Sequence, residues 1–290
     1  MPTIDLPIGA VDYRVFGPDA ASAPAVVFVH GFLVNGTLWD PVAQTLGAEG
    51  VRCIVPDWPL GAHRRPADPT VELSPTAVAD SVLALLDSLD LHDAVLVGND
   101  TGGGLCQLAL RNEADRVGGL VLTNCDAFEQ FPPRFFLPLF MMARSRTAVW
   151  ALAQQTRLRA VRHSPLGFGP LLNRPLPASL TRSWIQPILD SAEIRRDVTR
   201  FARAMQRTEL RDSDSWLSRF HKPARLVWGT RDKHFTVRLG RRLQASLPGA
   251  VLDEVPDAKT FVSIDRPDTV VDAVRDVVAR SPRGSRAGHM

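Results

Sequence analysis

The chain has 290 residues, of which 45% are hydrophobic and 22% charged, and its formal net charge is +3. This length and composition are typical of one globular domain with an insertion, and they exclude a disordered or collagen-like chain. The longest apolar run, from Phe135 to Ala143, is far too short to span a bilayer. The N-terminus lacks the charged-then-apolar pattern of a secretory signal. We therefore expect a cytoplasmic protein without a membrane partner.

The three cysteines, Cys53, Cys106 and Cys125, fall on or beside predicted core elements and have no paired spacing. They are typical of buried thiols in a reducing compartment. We find no spacing of metal ligands and no phosphate-binding glycine loop, so we expect neither a metal nor a cofactor.

Short apolar runs alternate with segments of helical periodicity through much of the chain. The predicted strands lie at 25–29, 94–98 and 251–255. The predicted helices are 37–48, 74–90, 101–112, 236–247 and 267–279. This alternation predicts an α/β fold, with a mostly parallel sheet covered by helices on both faces.

One predicted strand leads through a sharp turn directly into a helix. The apolar strand 94–98 is followed by Asn99, Asp100, Thr101 and three glycines, and then by Leu105 and Leu108 at helical spacing. Small residues around Asp100 allow a tight turn that pushes its side chain out over the sheet. A simpler interpretation is that Asp100 is an ordinary N-cap of the helix.

The sequence Gly98-Asn99-Asp100-Thr101-Gly102 resembles the nucleophile elbow of α/β-hydrolases, with aspartate in place of serine. His30-Gly31-Phe32 resembles the loop of that family that completes the oxyanion hole. The resemblance implies that the amides of Phe32 and Thr101 form this hole and that Asp232 is the acid after a later strand. Residues 54–61 resemble a strand and loop of the family, residues 116–122 resemble the strand after the elbow helix, and residues 226–232 resemble the strand that ends at the acid. Together these landmarks cover roughly residues 11–126 and 221–280, and they imply an α/β-hydrolase fold with an inserted helical cap.

The same resemblance makes Thr260 the most unusual residue of the chain. The family closes with Gly-His-Phe after its last strand, whereas this chain has Lys259-Thr260-Phe261. A threonine hydroxyl is not basic at neutral pH, so it cannot activate the water that hydrolyses an aspartyl ester. Three residues are candidates to replace the missing base: His234, two residues after Asp232, His163 in the insertion, and Lys259.

Two families of α/β-hydrolases use an aspartate nucleophile, namely haloalkane dehalogenases and epoxide hydrolases. The first family binds the halide with a Trp after the nucleophile and a second donor after His-Gly, where this chain has Thr101 and Phe32. The second opens its ring with cap tyrosines, whereas the single tyrosine here, Tyr13, lies near the N-terminus. The resemblance therefore extends to the superfamily but not to either reaction.

Several carboxylates could converge near Asp100. Asn124 and Asp126 follow a predicted strand, near an alternative acid position that some family members use, and Asp232 is the expected acid. Like charges and burial would raise at least one carboxyl pKa, and such a group can act as an acid or a base without a histidine. Alternatively, Asp232 only accepts hydrogen bonds from loop amides and Asp126 only caps a helix.

The stretch 127–220 lacks strand alternation and is rich in proline and aromatic residues, which predicts a helical cap. We assign 1–126 and 221–280 to the core and expect 281–290 to be a disordered tail. The cap usually roofs the pocket of this family, so we expect a hydrophobic, aromatic or polycyclic small-molecule substrate. The predicted pocket residues are His30, Asn124, Asp126, Phe136, Phe140, Trp184 and Thr260.

The cap contains fifteen arginines and seven acidic residues, a net charge of +8. These arginines are dispersed, and arginine outnumbers lysine 31 to 3 along the whole chain, so we expect no nucleic-acid partner. A cap arginine could instead bind an anionic group of a substrate. We expect a monomer or a homodimer.

Three hypotheses follow. The first is an enzyme that uses Asp100 as acid or base in a non-hydrolytic cyclisation, isomerisation or elimination. The second is a true hydrolase of esters, epoxides or carbon–halogen bonds, with Asp100 as nucleophile and a displaced histidine base. The third is a ligand-binding protein that has lost its chemistry.

Overall fold

The structure is a computed structural model that describes residues 1–19, 23–112, 114–165 and 167–281. The predicted tail 281–290 lies outside the described residues except for Ser281.

The described residues form one sheet of eight strands in the order β1-β2-β4-β3-β5-β6-β7-β8. The first two pairings, β1 with β2 and β2 with β4, are antiparallel, and the remaining pairings are parallel. In chain order the strands are Thr3–Leu6, Gly9–Phe16, Ala25–Val29, Arg52–Pro56, Ala94–Asp100, Val117–Cys125, Ala224–Gly229 and Val251–Val255.

Twelve α-helices accompany this sheet in the described part of the chain. Helices α1 to α12 are Asp40–Ala48, Pro75–Ser88, Thr101–Ala109, Leu137–Ala143, Arg146–Gln155, Arg159–Arg162, Ala178–Asp190, Ala192–Ala204, Asp214–Leu217, Val237–Ser246, Val262–Asp265 and Pro267–Arg280. Short 3₁₀ turns lie at Gly36–Trp39, Arg134–Phe136 and Gly169–Leu171.

The predicted α/β fold class is confirmed. The strand β3 illustrates why these residues form a central strand, since all five of its side chains are buried. Val27 and Val29 pack in the apolar cluster on one face of the sheet, whereas Val26 and Phe28 pack in the cluster on the other face. A continuous apolar run is what a parallel strand with helices on both sides requires.

Helices α4 to α9 lie in the stretch between β6 and β7 and rest on the carboxyl end of the sheet through aromatic contacts. The ring of Phe140 stacks on Phe32 with centroids 4.7 Å apart, and Phe201 lies 5.7 Å from the same ring. On the other side, the indole nitrogen of Trp184 donates to the hydroxyl of Thr37 at 2.8 Å. These contacts fix the roof above the loop that contains Phe32.

A buried carboxylate also joins helix α8 to the core. Asp197 is fully buried and accepts hydrogen bonds from the amide of Ala67, at 2.7 Å, and from Arg196 and Arg200. The Nε2 atom of His63 lies 3.4 Å from the same carboxylate. A buried charge with this many partners holds one relative position of helix and core loop, because removing a partner leaves the charge unpaired.

Within the described residues, no helix combines the length and the apolar character that crossing a membrane would require.

Candidate active site

Asp100 lies at the turn between β5 and α3 in a strained backbone conformation, with φ of 53° and ψ of −131°. The turn is possible because its neighbours lack side chains. A Cβ at Gly98 would lie 2.6 Å from the Cα of Gly103, and Gly102 packs against the carbonyls of Val29 and His30. Asp100 makes no side-chain capping hydrogen bond to the helix, so strain at this position is not explained by capping.

Two backbone amides lie against the carboxylate of Asp100. The N–H groups of Phe32 and Thr101 lie close to it, and both lower its pKa. Gly31 leaves room for this arrangement, because any side chain there would collide with the Asp100 carboxylate. The amides that the resemblance assigns to an oxyanion hole thus contact the aspartate itself.

His30 holds the loop that presents Phe32. Its Nε2 atom accepts the amide hydrogen of Trp58 at 2.8 Å, which leaves Nδ1 as the donor to the carbonyl of Gly31 at 3.0 Å. Burial lowers the pKa of His30 to about 3, so the ring is neutral at physiological pH. Both ring nitrogens bond the backbone, which makes His30 a structural residue below the site.

The side chain of Thr260, at the position where the sequence resemblance predicts a histidine, contacts Asp232. Its hydroxyl donates to Oδ2 of Asp232 at 2.6 Å, and Thr260 is fully buried. The other carboxylate oxygen of Asp232 accepts the amides of His234 and Phe235, at 2.8 and 3.0 Å. Burial raises the pKa of Asp232, and these donors offset part of that rise. A hydroxyl that donates to a carboxylate offers no basic atom.

Two asparagines connect the elbow to this acid. Asn124 donates to Oδ2 of Asp232 at 3.1 Å and to the carbonyl of Gly229 at the same distance. Asn99 donates to the carbonyl of Thr260 at 2.7 Å. The ends of β5, β6 and β7 and the loop at Thr260 therefore form one network. Asn99 was not predicted as a site residue. Its position directly before Asp100 on a buried strand was the signal in the sequence that could have identified it.

Asp126 is a second buried carboxyl group beside Asp100. It is fully buried, and neither of its carboxyl oxygens has a hydrogen bond of normal geometry in the described structure. Its backbone N–H donates to the carbonyl of Asp100 at 3.3 Å. Burial and the charge of Asp100 raise the pKa of Asp126 well above its usual range, and the nearby hydroxyl of Thr101 lowers it only in part. Asp126 therefore favours its protonated form more strongly than an ordinary aspartate does.

The pKa of Asp100 is raised to about 7. Burial is the main cause, and the charge of Asp232 adds to it, while the amides of Phe32 and Thr101 oppose the rise. Asp100 nevertheless retains some accessible surface, unlike Asp126. A carboxyl group that titrates near neutral pH is suited to both accepting and donating a proton.

The predicted candidates for a replacement base lie in different places. His234 contacts the site through its backbone, while its ring stacks on Phe135 with centroids 4.2 Å apart, and burial lowers its pKa. The ring nitrogens of His163 lie 3.0 and 3.2 Å from the carbonyls of Arg159 and Leu176, all within the cap segment. Lys259 is half-buried, and its amide donates to Asp265.

The predicted aromatic pocket residues also lie in different places. Phe140 lies over Phe32, next to the amide that contacts Asp100. Phe136 is half-buried and lies over His234 and Phe235. Trp184 is fully buried between the cap and the loop at Thr37, with Phe261 edge-on to its ring. Phe140 is thus the predicted roof residue that the structure brings nearest to the loop around Asp100.

The three cysteines of the chain, Cys53, Cys106 and Cys125, are buried and form no disulfide. Among the residues that the structure describes, no group of three or more histidine, cysteine or acidic side chains is arranged to hold a metal ion.

Comparison with known proteins identifies relatives of the whole chain. It is 27% identical to haloalkane dehalogenase 2 of Mycobacterium tuberculosis, over 90% of each chain. It is also 27% identical to the cis-3-alkyl-4-alkyloxetan-2-one decarboxylase of Xanthomonas campestris, over 94% of this chain and 93% of that one. A solved α/β hydrolase fold protein from Burkholderia ambifaria superimposes with a TM-score of 0.76 and 20% identity, over 95% and 97% of the two chains.

The sequence profile of the alpha/beta hydrolase family matches residues 26–273, which include the elbow, Asp232 and Thr260. The chain therefore belongs to the α/β hydrolase family.

Proposed function

We propose that the protein is an enzyme that transforms a hydrophobic small molecule without activating water, and that Asp100 is its base. The ionised carboxylate takes a proton from a C–H or O–H group of the substrate and returns it at another atom or to solvent. The reaction is then an isomerisation, a cyclisation or an elimination, depending on where the substrate's electrons move.

The observation that carries this proposal is the hydrogen bond from Thr260 to Asp232. In a hydrolytic triad this acid orients a histidine, which takes a proton from water. Here the acid accepts a threonine hydroxyl instead, and neither His234 nor His163 directs a ring nitrogen at Asp100 in the described hydrogen bonds. A reaction that needs no activated water is compatible with this arrangement.

The pair of carboxyls supports the same role. Burial and the charge of Asp100 raise the pKa of Asp126 well above its usual range, while Asp100, with a pKa of about 7, exchanges its proton readily. Two interacting carboxyl groups with raised pKa values are a known way to obtain acid and base chemistry at pH 7. The buried Asp126 does not reach a ligand and acts through Asp100.

Phe140 and Phe32 indicate the character of the substrate. Their stacked rings form an apolar wall beside the amide that contacts Asp100. An apolar wall with few polar groups favours a hydrophobic or aromatic ligand over a sugar or a phosphate. One of the relatives is named as a decarboxylase of an alkyl-substituted oxetanone, which is a substrate of the same apolar character.

A second candidate is a hydrolase in which Asp100 is the nucleophile. It is favoured by the two amides that contact the Asp100 carboxylate, because they would stabilise the oxyanion formed when an aspartyl ester is hydrolysed. The relative named as a haloalkane dehalogenase is consistent with it. Without a base, however, this ester would accumulate.

Proton exchange with solvent distinguishes the two candidates. Hydrophobic ketones and alkyl-substituted β-lactones are incubated with the protein in D₂O and followed by NMR, while intact-protein mass is recorded on the same samples. We expect deuterium at an acidic carbon of at least one compound, at a rate that falls about 100-fold or more in Asp100→Asn.

The matched control is Asp40→Asn, since Asp40 is also a part-buried carboxyl with a raised pKa but lies on helix α1 beside Arg14. It should leave the exchange unchanged. A stable added mass on Asp100 without exchange would support the nucleophile instead. Ligand binding with neither exchange nor adduct would leave the non-catalytic hypothesis.

A further inference from the structure

Exposed apolar side chains and arginines without an ion pair lie close together along the described part of the segment 127–220. Seven large hydrophobic side chains are exposed in the described residues, and five of them fall within the short stretch 135–158. We call this surface the basic cap face, and its members are Phe135, Met141, Met142, Trp150 and Leu158 together with Arg134, Arg144, Arg146, Arg157 and Arg159.

The charge of this face is uncompensated. The stretch 130–189 contains eight arginines and no aspartate or glutamate. Among the described residues, none of these eight arginines forms an ion pair, whereas core arginines such as Arg225 and Arg275 each contact two carboxylates. The basic cap face therefore presents a positive potential that the molecule itself does not neutralise.

The exposed apolar side chains lie on helices that bury other apolar residues. Helices α4 and α5 pack on each other and on α8, and their buried residues include Phe140, Ala143, Val149 and Ala153. Met141, Met142 and Trp150 belong to the same two helices but are exposed. Their exposure is thus not a gap in the cap's own packing.

Aromatic and basic side chains lie side by side in two surface hollows. Phe135 lines a hollow of about 490 Å³ together with Arg134, Arg207 and Lys233. Trp150 lines another, of about 300 Å³, with Arg146 and Arg195. The acidic residue of the first hollow, Glu129, is already paired with Arg242. Within the described residues, the cations beside each ring therefore form no ion pair with a carboxylate.

We propose that the basic cap face docks on the surface of an anionic lipid bilayer. Aromatic, methionine and leucine side chains next to arginines are the combination that binds the boundary between headgroups and acyl chains. A second copy of the chain fits less well, because two such faces would repel each other. Nucleic acid would use the arginines but would leave the methionines and Leu158 in water.

This docking does not depend on the proposed reaction, and it requires no membrane-spanning segment. The expectation of no membrane partner rested on the absence of such a segment and of a signal. A protein that lies on a membrane needs only an apolar and basic surface of this kind.

The test is flotation of the full chain with phosphatidylcholine vesicles that contain or lack phosphatidylglycerol. We expect binding only with phosphatidylglycerol, and weaker binding at high salt. The triple variant Arg144→Gln, Arg146→Gln, Arg157→Gln should bind roughly 100-fold more weakly. The triple variant Met141→Ser, Met142→Ser, Trp150→Ser should bind at least about tenfold more weakly.

The control carries Val251→Ser and Arg241→Gln, which remove an exposed apolar side chain and an exposed arginine near strand β8. It should bind vesicles like the unmodified protein, and all variants should keep the same thermal unfolding midpoint, because every changed side chain is exposed. The proposal is overturned if the unmodified protein does not float with either vesicle, or if both triple variants bind as it does. A dimer that both triple variants dissociate, or tight binding to DNA instead of vesicles, would also overturn it.

Discussion

At the scale of single residues, Asp100 and Thr260 define the chemistry that the site can perform. Asp100 combines a strained turn, two amide donors and a pKa near neutrality. Thr260 donates a short hydrogen bond to Asp232 and so orients the acid without providing a base. The resemblance to the elbow predicted the position of Asp100, and the resemblance of residues 259–261 to the closing Gly-His-Phe of the family predicted that of Thr260. The sequence also predicted that at least one of the converging carboxyl groups would have a raised pKa, but not that Asp126 would be one of them, because its pKa depends on burial by residues distant in the chain.

The pKa of Asp100 predicts how the rate depends on pH. A base must be ionised, so kcat/KM for the proposed reaction should rise with pH and level off above an inflection near pH 7. The measurement is a pH–rate profile of the unmodified protein and of His234→Gln. The inflection should remain in the variant, because burial already lowers the pKa of His234. An inflection that disappears with His234 would assign the titration to the imidazole.

Thr260 is expected to act as a positioning residue. Thr260→Val removes the hydroxyl that donates to Asp232, which leaves a buried carboxylate oxygen short of a donor and should lower stability by about 1–3 kcal/mol. The matched variant Thr260→Ser keeps the donor and should lose less. Urea unfolding and kcat are measured for both, and kcat should fall less than about tenfold in Thr260→Val. A loss of kcat as large as that in Asp100→Asn would place the hydroxyl in the reaction.

At the scale of elements, the ends of parallel strands bring the site together. Strands β5, β6 and β7 are neighbours in the sheet, so Asp100, Asn124 and the loop to Asp232 meet at one edge. This could be predicted, because apolar runs alternate with helices along the chain. The start of helix α1 could not be placed as well. Asn35 caps a 3₁₀ turn, Gly36–Trp39, and the α-helix begins only at Asp40.

Asp126, which follows the end of strand β6, should make the stability of the protein depend on pH. Its folded pKa is raised, whereas an aspartate in an unfolded chain titrates near 3.9. The folded state therefore binds more protons than the unfolded state, and stability is lost as the pH rises from the unfolded pKa towards the folded one. Asp126→Asn removes this dependence.

We expect Asp126→Asn to be more stable than the unmodified protein at pH 8 and no more stable at pH 4. Urea unfolding at the two pH values measures both free energies. Asp40→Asn, on helix α1, serves as the control for removal of a part-buried carboxyl group. Equal destabilisation by Asp126→Asn at both pH values would show that the group is not protonated in the fold.

At the scale of the whole molecule, the core and the segment 127–220 contribute different residues. The core positions Asp100 and its network, while the segment 127–220 contributes Phe140 above Phe32 and the arginines of the proposed basic cap face. The sequence predicted an aromatic cap between the two halves of the core. It could not tell which aromatic residues face a ligand, because helical periodicity gives the apolar side of a helix but not its partner. Trp184 illustrates this, since its indole bonds Thr37.

The central claim is that Asp100 works without activated water. The most direct measurement is turnover in H₂¹⁸O of a substrate found by proton exchange, with mass analysis of both the product and the peptide that contains Asp100. The account predicts no ¹⁸O in the bonds that the reaction forms and none in the Asp100 carboxylate. Incorporation of ¹⁸O into the carboxylate during turnover would contradict it, because that label enters only when water hydrolyses an ester at Asp100.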